Sequence, residues 1–315
     1  MKEEEIAKVK ILIEEFHARR KAQGYAEITK NQTLWALRYF VEHLQNSEEE
    51  KLSELTAENL HKFQNRIYTQ PGHDKKMFSL VSQTHILVSV RKWLQWLVRE
   101  GKLLADPSSG IELPRLPERL PRGVMSKKEV EKILNQAKEN EEHWIRDRAI
   151  LELLYSSGIR NKELRHLRVY DVNLAEQEVE IRNGKGGKDR VVPLGAIAGK
   201  YVEQYLKEDR PKKVAGNPEE QHLFLTRQGK ALNSSDLNRN IIQKYVEKAG
   251  IKKHISAHSF RHTCATHLLR GRASLRHIQQ LLGHKSLEST QIYTHVEVSD
   301  LKKELKRCHP REQNK

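Results

Sequence analysis

Four stretches in the second half of this 315-residue chain bring together residue types able to handle an anion and a proton. In the first, Tyr155 to Leu164, Gly158 interrupts a helical pattern so that Arg160 projects at the start of the next helix. A guanidinium there can make two hydrogen bonds to phosphate oxygens, aided by the positive end of a helix dipole. A salt bridge to Glu163 is the simpler alternative. In the second, Lys185 sits among Gly184, Gly186, Gly187 and Lys188, where glycines permit positive φ and close approach to a ligand. The glycine spacing and the closing Lys-Ser or Lys-Thr of a nucleotide-binding loop are missing, and solvated hairpin charge is the bland reading.

The third stretch, His258 to His262, places His258 and Arg261 on one helix face. His262 and His267 match no standard zinc spacing and lack the acidic residue of His-Glu-x-x-His, so no metal is expected, and helix packing is the reading for both. In the fourth, Gly283 should end the helix begun near Ile278, His284 follows it, and Tyr293 comes shortly after. A lone tyrosine usually marks half-buried packing.

These pieces need elements to hold them. Residues 1–105 read as consecutive amphipathic helices forming a small bundle, with Ile86, Val90, Trp93, Leu94 and Leu97 on one apolar face and Leu34, Leu37, Val41 and Leu44 on another. Residues 106–122 hold Pro107, Pro114, Pro117 and Pro121 and predict an extended linker between domains. Ser126 with Glu129 forms a capping-box pattern that opens a second domain over 123–315. Alternation over 178–182 and a β-branched stretch over 190–194 predict a β-hairpin around the glycine turn, and helices are expected over 145–155, 197–208, 235–249, 258–270, 274–282 and 286–293. The fold class is therefore mainly α, a helical bundle followed by an α+β domain with a small β-hairpin or sheet.

The net charge is +15, and since residues 1–105 carry 17 basic and 14 acidic side chains, +12 of it lies in residues 106–315. A polyanionic partner follows, with nucleic acid the leading candidate. Arg91 and Lys92 on the bundle, with Lys188 and Arg190 at the hairpin, are candidate phosphate contacts; solvated surface charge is the alternative. No long apolar run suggests a signal peptide or membrane span, and the two cysteines, Cys264 and Cys308, fit a reducing compartment, so the expectation is a cytoplasmic protein without a membrane partner.

Taken in this order, the four pieces resemble the tyrosine recombinases, whose members include phage integrases, Xer resolvases and integrases of mobile elements. The likeness runs from about Arg122 to Val296 and is strongest from His258 onward; the N-terminal helices resemble the family's SAM-like core-site-binding domain in architecture only. The resemblance implies an active site of Arg160, Lys185, His258, Arg261, His284 and Tyr293. Arg160 and Arg261 would grip the non-bridging oxygens, with His284 donating a further hydrogen bond. A free tyrosine is about one part in a thousand ionised at pH 7. Tyr293 therefore needs a cationic pocket or a base, for which His258 is the candidate, and Lys185 would protonate the leaving 5′-oxygen. A 3′-phosphotyrosyl link would conserve the bond energy, so no cofactor, metal or ATP is expected. The likeness further implies double-stranded DNA recombination sites as partner and a tetramer in the synapse, acting on nucleoid DNA. Residues 297–315 are expected to dock on a neighbouring protomer through Val298, Leu301 and Leu305. The competing readings are a type IB topoisomerase and a catalytically silent DNA-binding architectural factor. An arm-site-binding domain is not expected, because the helical pattern begins almost at Met1.

Overall fold

Helices form in the first hundred residues where apolar side chains recur at helical spacing and where Ser or Thr can take an orphan backbone N–H. The computed structural model describes residues 1–25, 27–117, 123–139, 141–182, 189–214, 216–283 and 298–313, divided into two units, Met1–Glu118 and Arg119–Lys315. In the first unit α1 (Glu3–Ala22), α2 (Glu27–Gln45), α3 (Ala57–Thr69) and α4 (Leu80–Arg99) surround one core. The Thr56 hydroxyl accepts from Asn59 N at 3.4 Å to open α3, and Ser79 accepts from Ser82 N at 3.2 Å to open α4. Ile86, Val90, Trp93, Leu94 and Leu97 are all buried, as are Leu37, Val41 and Leu44, while Leu34 packs half-buried beside them. Phe40 makes edge contacts with Phe63 at 5.0 Å and Trp93 at 6.1 Å, which ties α2 to both α3 and α4.

The proline-rich stretch does not begin as a free linker. Asp106 caps a 3-10 turn over Pro107–Gly110, and Ile111 is buried in the bundle core. Glu112 N donates to Gln64 Oε1 at 3.2 Å, and Tyr68 donates to the Glu112 carbonyl at 2.8 Å. Pro107 stands at the start of the turn, where a missing N–H has no consequence, so this proline accompanies docking.

The second unit opens with the capping box: Ser126 Oγ accepts from Glu129 N at 3.2 Å, and Glu129 Oε2 accepts from Ser126 N at 2.7 Å, starting α5 (Lys127–Leu134). Next come α6 (Trp144–Ser157) and the short α7 (Asn161–His166). A three-stranded antiparallel sheet follows, with β1 (Val172–Asn173), β2 (Glu178–Ile181) and β3 (Arg190–Pro193) in that order. The expected hairpin is β2–β3, with Ile181 opposite Arg190. β1 was not expected, and two residues leave no alternation to read. Beyond the sheet α8 (Ala196–Gln204) runs through a π turn at Tyr205–Asp209 into α9 (Arg210–Val214), and a π stretch at Asp236–Gln243 leads into α10 (Lys244–Lys248). Then come α11 (Ala257–Arg270), α12 (Leu275–Leu282), α13 (Val298–Cys308) and α14 (Pro310–Gln313). The architecture is thus mainly helical with one small sheet, as the patterning implied. None of the described helices is long and apolar enough to cross a membrane.

Helix α6 is the hub, packing on α5, α8 and α11. It is buried on every side from Arg146 to Ser157, so its charged residues must be paired within the protein. Asp147 accepts from Arg146 at 2.6 and 2.8 Å and from the Tyr245 hydroxyl at 2.9 Å. Glu152 takes Arg148 at 2.9 Å and Arg311, from the far end of the chain, at 2.5 and 3.1 Å.

That last pair belongs to the C-terminal segment, which lies on its own unit. α13 packs on β3 and α11 of its own unit, burying Leu301, Leu305 and Cys308, and Lys302 pairs with Glu178 on β2 at 2.8 Å. Leu301 and Leu305 of the apolar stripe, expected to meet a neighbouring protomer, are covered within the same unit. His309 completes the closure: its Nε2 donates to the Tyr155 carbonyl at 3.0 Å, and its Nδ1 accepts from Arg311 N at 3.3 Å. Both ring nitrogens are thus occupied in a way only the neutral imidazole allows. Burial lowers its pKa to about 3, with His267, Arg311 and Lys127 acting in the same direction. A histidine whose folded pKa is depressed contributes stability above its unfolded pKa and loses it as pH falls towards the folded one. Acidification from about pH 7 to about pH 5 should therefore weaken the native state. His309→Gln, which keeps one donor and one acceptor, should show a shallower loss in denaturant titrations at the two pH values, whereas parallel losses in variant and parent would contradict the assignment.

Candidate active site

Gly158 ends α6 with φ +60°, and a Cβ there would lie 2.8 Å from Leu282 Cδ2 and 3.3 Å from Cys264 Sγ. Glycine is required both for the left-handed cap and for the close approach of α11 and α12. Two residues later Arg160 is the N-cap of α7, and its backbone N–H donates to Glu163 Oε2 at 2.8 Å. The Arg160 guanidinium then reaches in two directions, to Glu163 Oε1 at 2.7 Å and to the Gly283 carbonyl at 2.7 Å. Arg160 is salt-bridged and, with its side chain 24% exposed, still open to solvent.

Gly283 is the left-handed cap of α12, with φ +62°, as the glycine pattern implied. The last carbonyls of a helix have no partner within it and carry the negative end of its dipole. Here three guanidiniums meet three successive carbonyls. Arg160 takes Gly283, Arg261 takes Leu282 at 2.5 Å, and Arg190 Nε approaches Leu281 at 3.4 Å. Arg261, from α11, also donates to the Gly158 carbonyl at 2.8 Å, so one buried guanidinium joins the end of α6 to the end of α12. Burial lowers its pKa to about 10, with Arg160 and Arg190 adding to the shift and Glu163 opposing it. It therefore stays protonated at neutral pH.

Arg190, expected as a phosphate contact, is paired within the protein. Its Nη1 and Nη2 donate to the two oxygens of Glu163 at 2.9 and 2.8 Å, and only 15% of its side chain is exposed. Glu163 is the residue whose importance the sequence understated. Its carboxylate accepts from Arg160 N, Arg160 Nη1 and both terminal nitrogens of Arg190, which fills its lone-pair capacity. Burial pushes its pKa up, but the Arg190 and Arg160 hydrogen bonds outweigh this and hold it at about 2. The available signal was its position three residues after Arg160, the capping-box position.

His258 stands one turn before His262 on the outer face of α11, their Nε2 atoms 2.8 Å apart. Only one of the two can carry the hydrogen of that bond. Burial, His258 and Arg261 all lower the His262 pKa. His267, in contrast, is buried, with Nδ1 2.8 Å from the Tyr155 hydroxyl, a packing role. Among the described residues no group of three His, Cys, Asp or Glu side chains is arranged to hold a metal. In the first unit Arg91 is half-buried and donates to the Ile111 carbonyl, whereas Lys92 is exposed. Lys185, Lys188, His284, Tyr293 and the expected helix over 286–293 lie outside the described residues. The structure thus brings Arg160, Arg261, Glu163 and Arg190 together at the end of α12, immediately before His284, and places His258 on the helix that supplies Arg261.

Residues 123–300 match the phage integrase family. Over 287 residues the chain is 37% identical to tyrosine recombinase XerC 2 of Ralstonia nicotianae, covering 91% of this chain and 82% of that protein. It is 34% identical over 295 residues to tyrosine recombinase XerC of Oceanobacillus iheyensis, covering 91% and 94% of the two chains. Its fold is similar to that of the XerH site-specific recombinase in a pre-cleavage complex with difH substrate, with a TM-score of 0.64 at 24% identity over 90% of this chain and 81% of that one. The lambda integrase(75-356) dimer bound to a COC' core site gives 0.63 at 17% identity over 91% and 99%. At these identities the structural likeness is one of fold.

Proposed function

The chain belongs to the phage integrase family and is a tyrosine-type site-specific recombinase; from that premise we propose that Arg160, Lys185, His258, Arg261, His284 and Tyr293 cleave and rejoin double-stranded DNA through a 3′-phosphotyrosyl intermediate. The observation that carries this reading is the convergence of Arg160 and Arg261 on one helix end, both charged, beside the residue that precedes His284. Two fixed guanidiniums suit a phosphodiester, whose attack builds negative charge on the non-bridging oxygens. Each guanidinium has five N–H groups, so the carbonyl and carboxylate contacts leave further donors for the phosphate. Tyr293 attacks phosphorus, its proton passes to His258, and the 5′-oxygen leaves with a proton from Lys185. His284 donates to a non-bridging oxygen. Because the phosphoester bond is exchanged rather than hydrolysed, the partner's 5′-hydroxyl can reverse the step without an external energy source.

The first unit is assigned as a core-site-binding domain with Lys92 among its phosphate contacts, and the net charge of +15 favours DNA at every step. The working assembly is a homotetramer on two sites, a reading supported by the lambda integrase tetramer bound to a Holliday junction, a protein of similar fold. Cytoplasmic, nucleoid-associated work follows from the substrate. The test begins with a duplex recovered by the intact protein from a random-sequence pool. That duplex, nicked beside the scissile phosphate so that the leaving fragment diffuses away, should accumulate covalent protein–DNA in the presence of EDTA. Tight binding with no covalent product would identify a silent DNA-binding module.

A further inference from the structure

We propose that Arg190 is a positioning residue that locks the strand following Lys185 in sequence to Arg160 and to the helix end before His284, and that it makes no contact with DNA phosphate. The inference rests on the reading of Arg160, Lys185 and His284 as active-site residues. One backbone placement and two side-chain contacts carry it. Arg190 starts β3, the strand that follows Lys185 in sequence, and pairs with Ile181 across the hairpin. Its fork grips both oxygens of Glu163, the carboxylate that also holds the backbone and guanidinium of Arg160. Its Nε and Cδ lie over Gly283, where an added Cβ would come within 3.0 and 3.2 Å of them, and Nε points to the Leu281 carbonyl. Three elements distant in sequence therefore meet at one guanidinium.

The charge arithmetic at this point decides what the strut does to Arg160. Glu163 supplies one negative charge to two guanidiniums. With Arg190 present, the carboxylate is shared, and Arg160 keeps part of its field for a substrate anion. Without Arg190, Glu163 would belong to Arg160 alone and draw it from the phosphate, while the hairpin would lose its tie to α7. Lysine cannot reproduce this, because an ammonium is a point charge and cannot hold two oxygens in a planar fork.

The experiment compares the intact protein with Arg190→Ala and Arg190→Lys on the duplex selected from the random pool. Binding is measured across a salt series, and single-turnover cleavage is measured with all DNA bound. Misplacing a catalytic group by about 1 Å costs on the order of a hundredfold. Arg190→Ala should therefore cleave about a hundredfold more slowly at saturation, with Arg190→Lys between it and the parent. Affinity and salt slope should stay at the parental values. Millimolar guanidinium, well below denaturing concentrations, should restore cleavage by Arg190→Ala, and equivalent sodium chloride should not. A salt slope lower by about one would mark Arg190 as a phosphate contact and overturn the proposal. Parental cleavage by either variant at saturation would also overturn it, as would a loss in Arg190→Ala that guanidinium leaves unchanged. If Arg190→Ala does not fold, Arg190→Lys carries the same comparison, and its parental rate would be decisive against the strut. Should the unaltered protein itself bind the duplex and form no adduct, the reading of the site has failed, an outcome separate from any effect of Arg190.

Discussion

Tyr293→Phe should bind the selected duplex with unchanged affinity and yet form no covalent adduct, a loss of at least about 10⁴-fold in single-turnover cleavage. The change removes one oxygen and leaves the ring, so packing and charge stay as they were. No other group in the proposed set can replace it: Arg160 and Arg261 are cations already committed to hydrogen bonding, and an imidazole or the Lys185 amine attacking phosphorus would leave an acid-labile phosphoramidate, not a tyrosyl ester. A denaturing gel of the nicked substrate reads the result directly. Retained adduct in the variant would remove Tyr293 from its role.

Arg261→Ala should fail in two separable ways. Loss of an electrostatic donor to the developing charge lowers cleavage by about 10²- to 10³-fold. The same truncation leaves the Gly158 and Leu282 carbonyls without their donor, at a cost of roughly 1–3 kcal/mol for each buried group left unpaired. Equilibrium denaturation and single-turnover cleavage should both move. Arg261→Lys should recover part of the stability through one ammonium contact but little of the rate, because a point donor cannot span two carbonyls and a phosphate. Unaltered stability in Arg261→Ala would mean that the contacts at the ends of α6 and α12 hold nothing together.

Much of this arrangement was legible before any coordinates. Helical periodicity gave the buried face of α4 residue by residue, and the Ser126–Glu129 pattern gave the start of α5, because both signals are local and repeat at the helix period. Gly158 and Gly283 were legible as helix ends for the same reason. What escaped was interaction between distant segments. Arg190 at the mouth of a hairpin reads as a basic residue whether it meets a phosphate or Glu163, 27 positions away. Glu163 reads as a partner of Arg160, but that it joins two arginines is a property of the folded chain. The stripe of Leu301 and Leu305 shows that the C-terminal helix must be covered, and amphipathicity alone does not say by which surface; here it is β3 and α11. In the proline-rich stretch the docking of Ile111 and Glu112 rests on Gln64, Tyr68 and Arg91, none of them near in sequence.

The claim on which the proposed chemistry stands is that one phenolic oxygen becomes bonded to the DNA backbone. Covalent complex trapped on the nicked duplex can be digested with protease and nuclease and the modified peptide sequenced by mass spectrometry. The account predicts a nucleotide joined through its 3′-phosphate to the peptide containing Tyr293; the nucleotide on any other side chain, or a 5′-phosphate linkage, would contradict it.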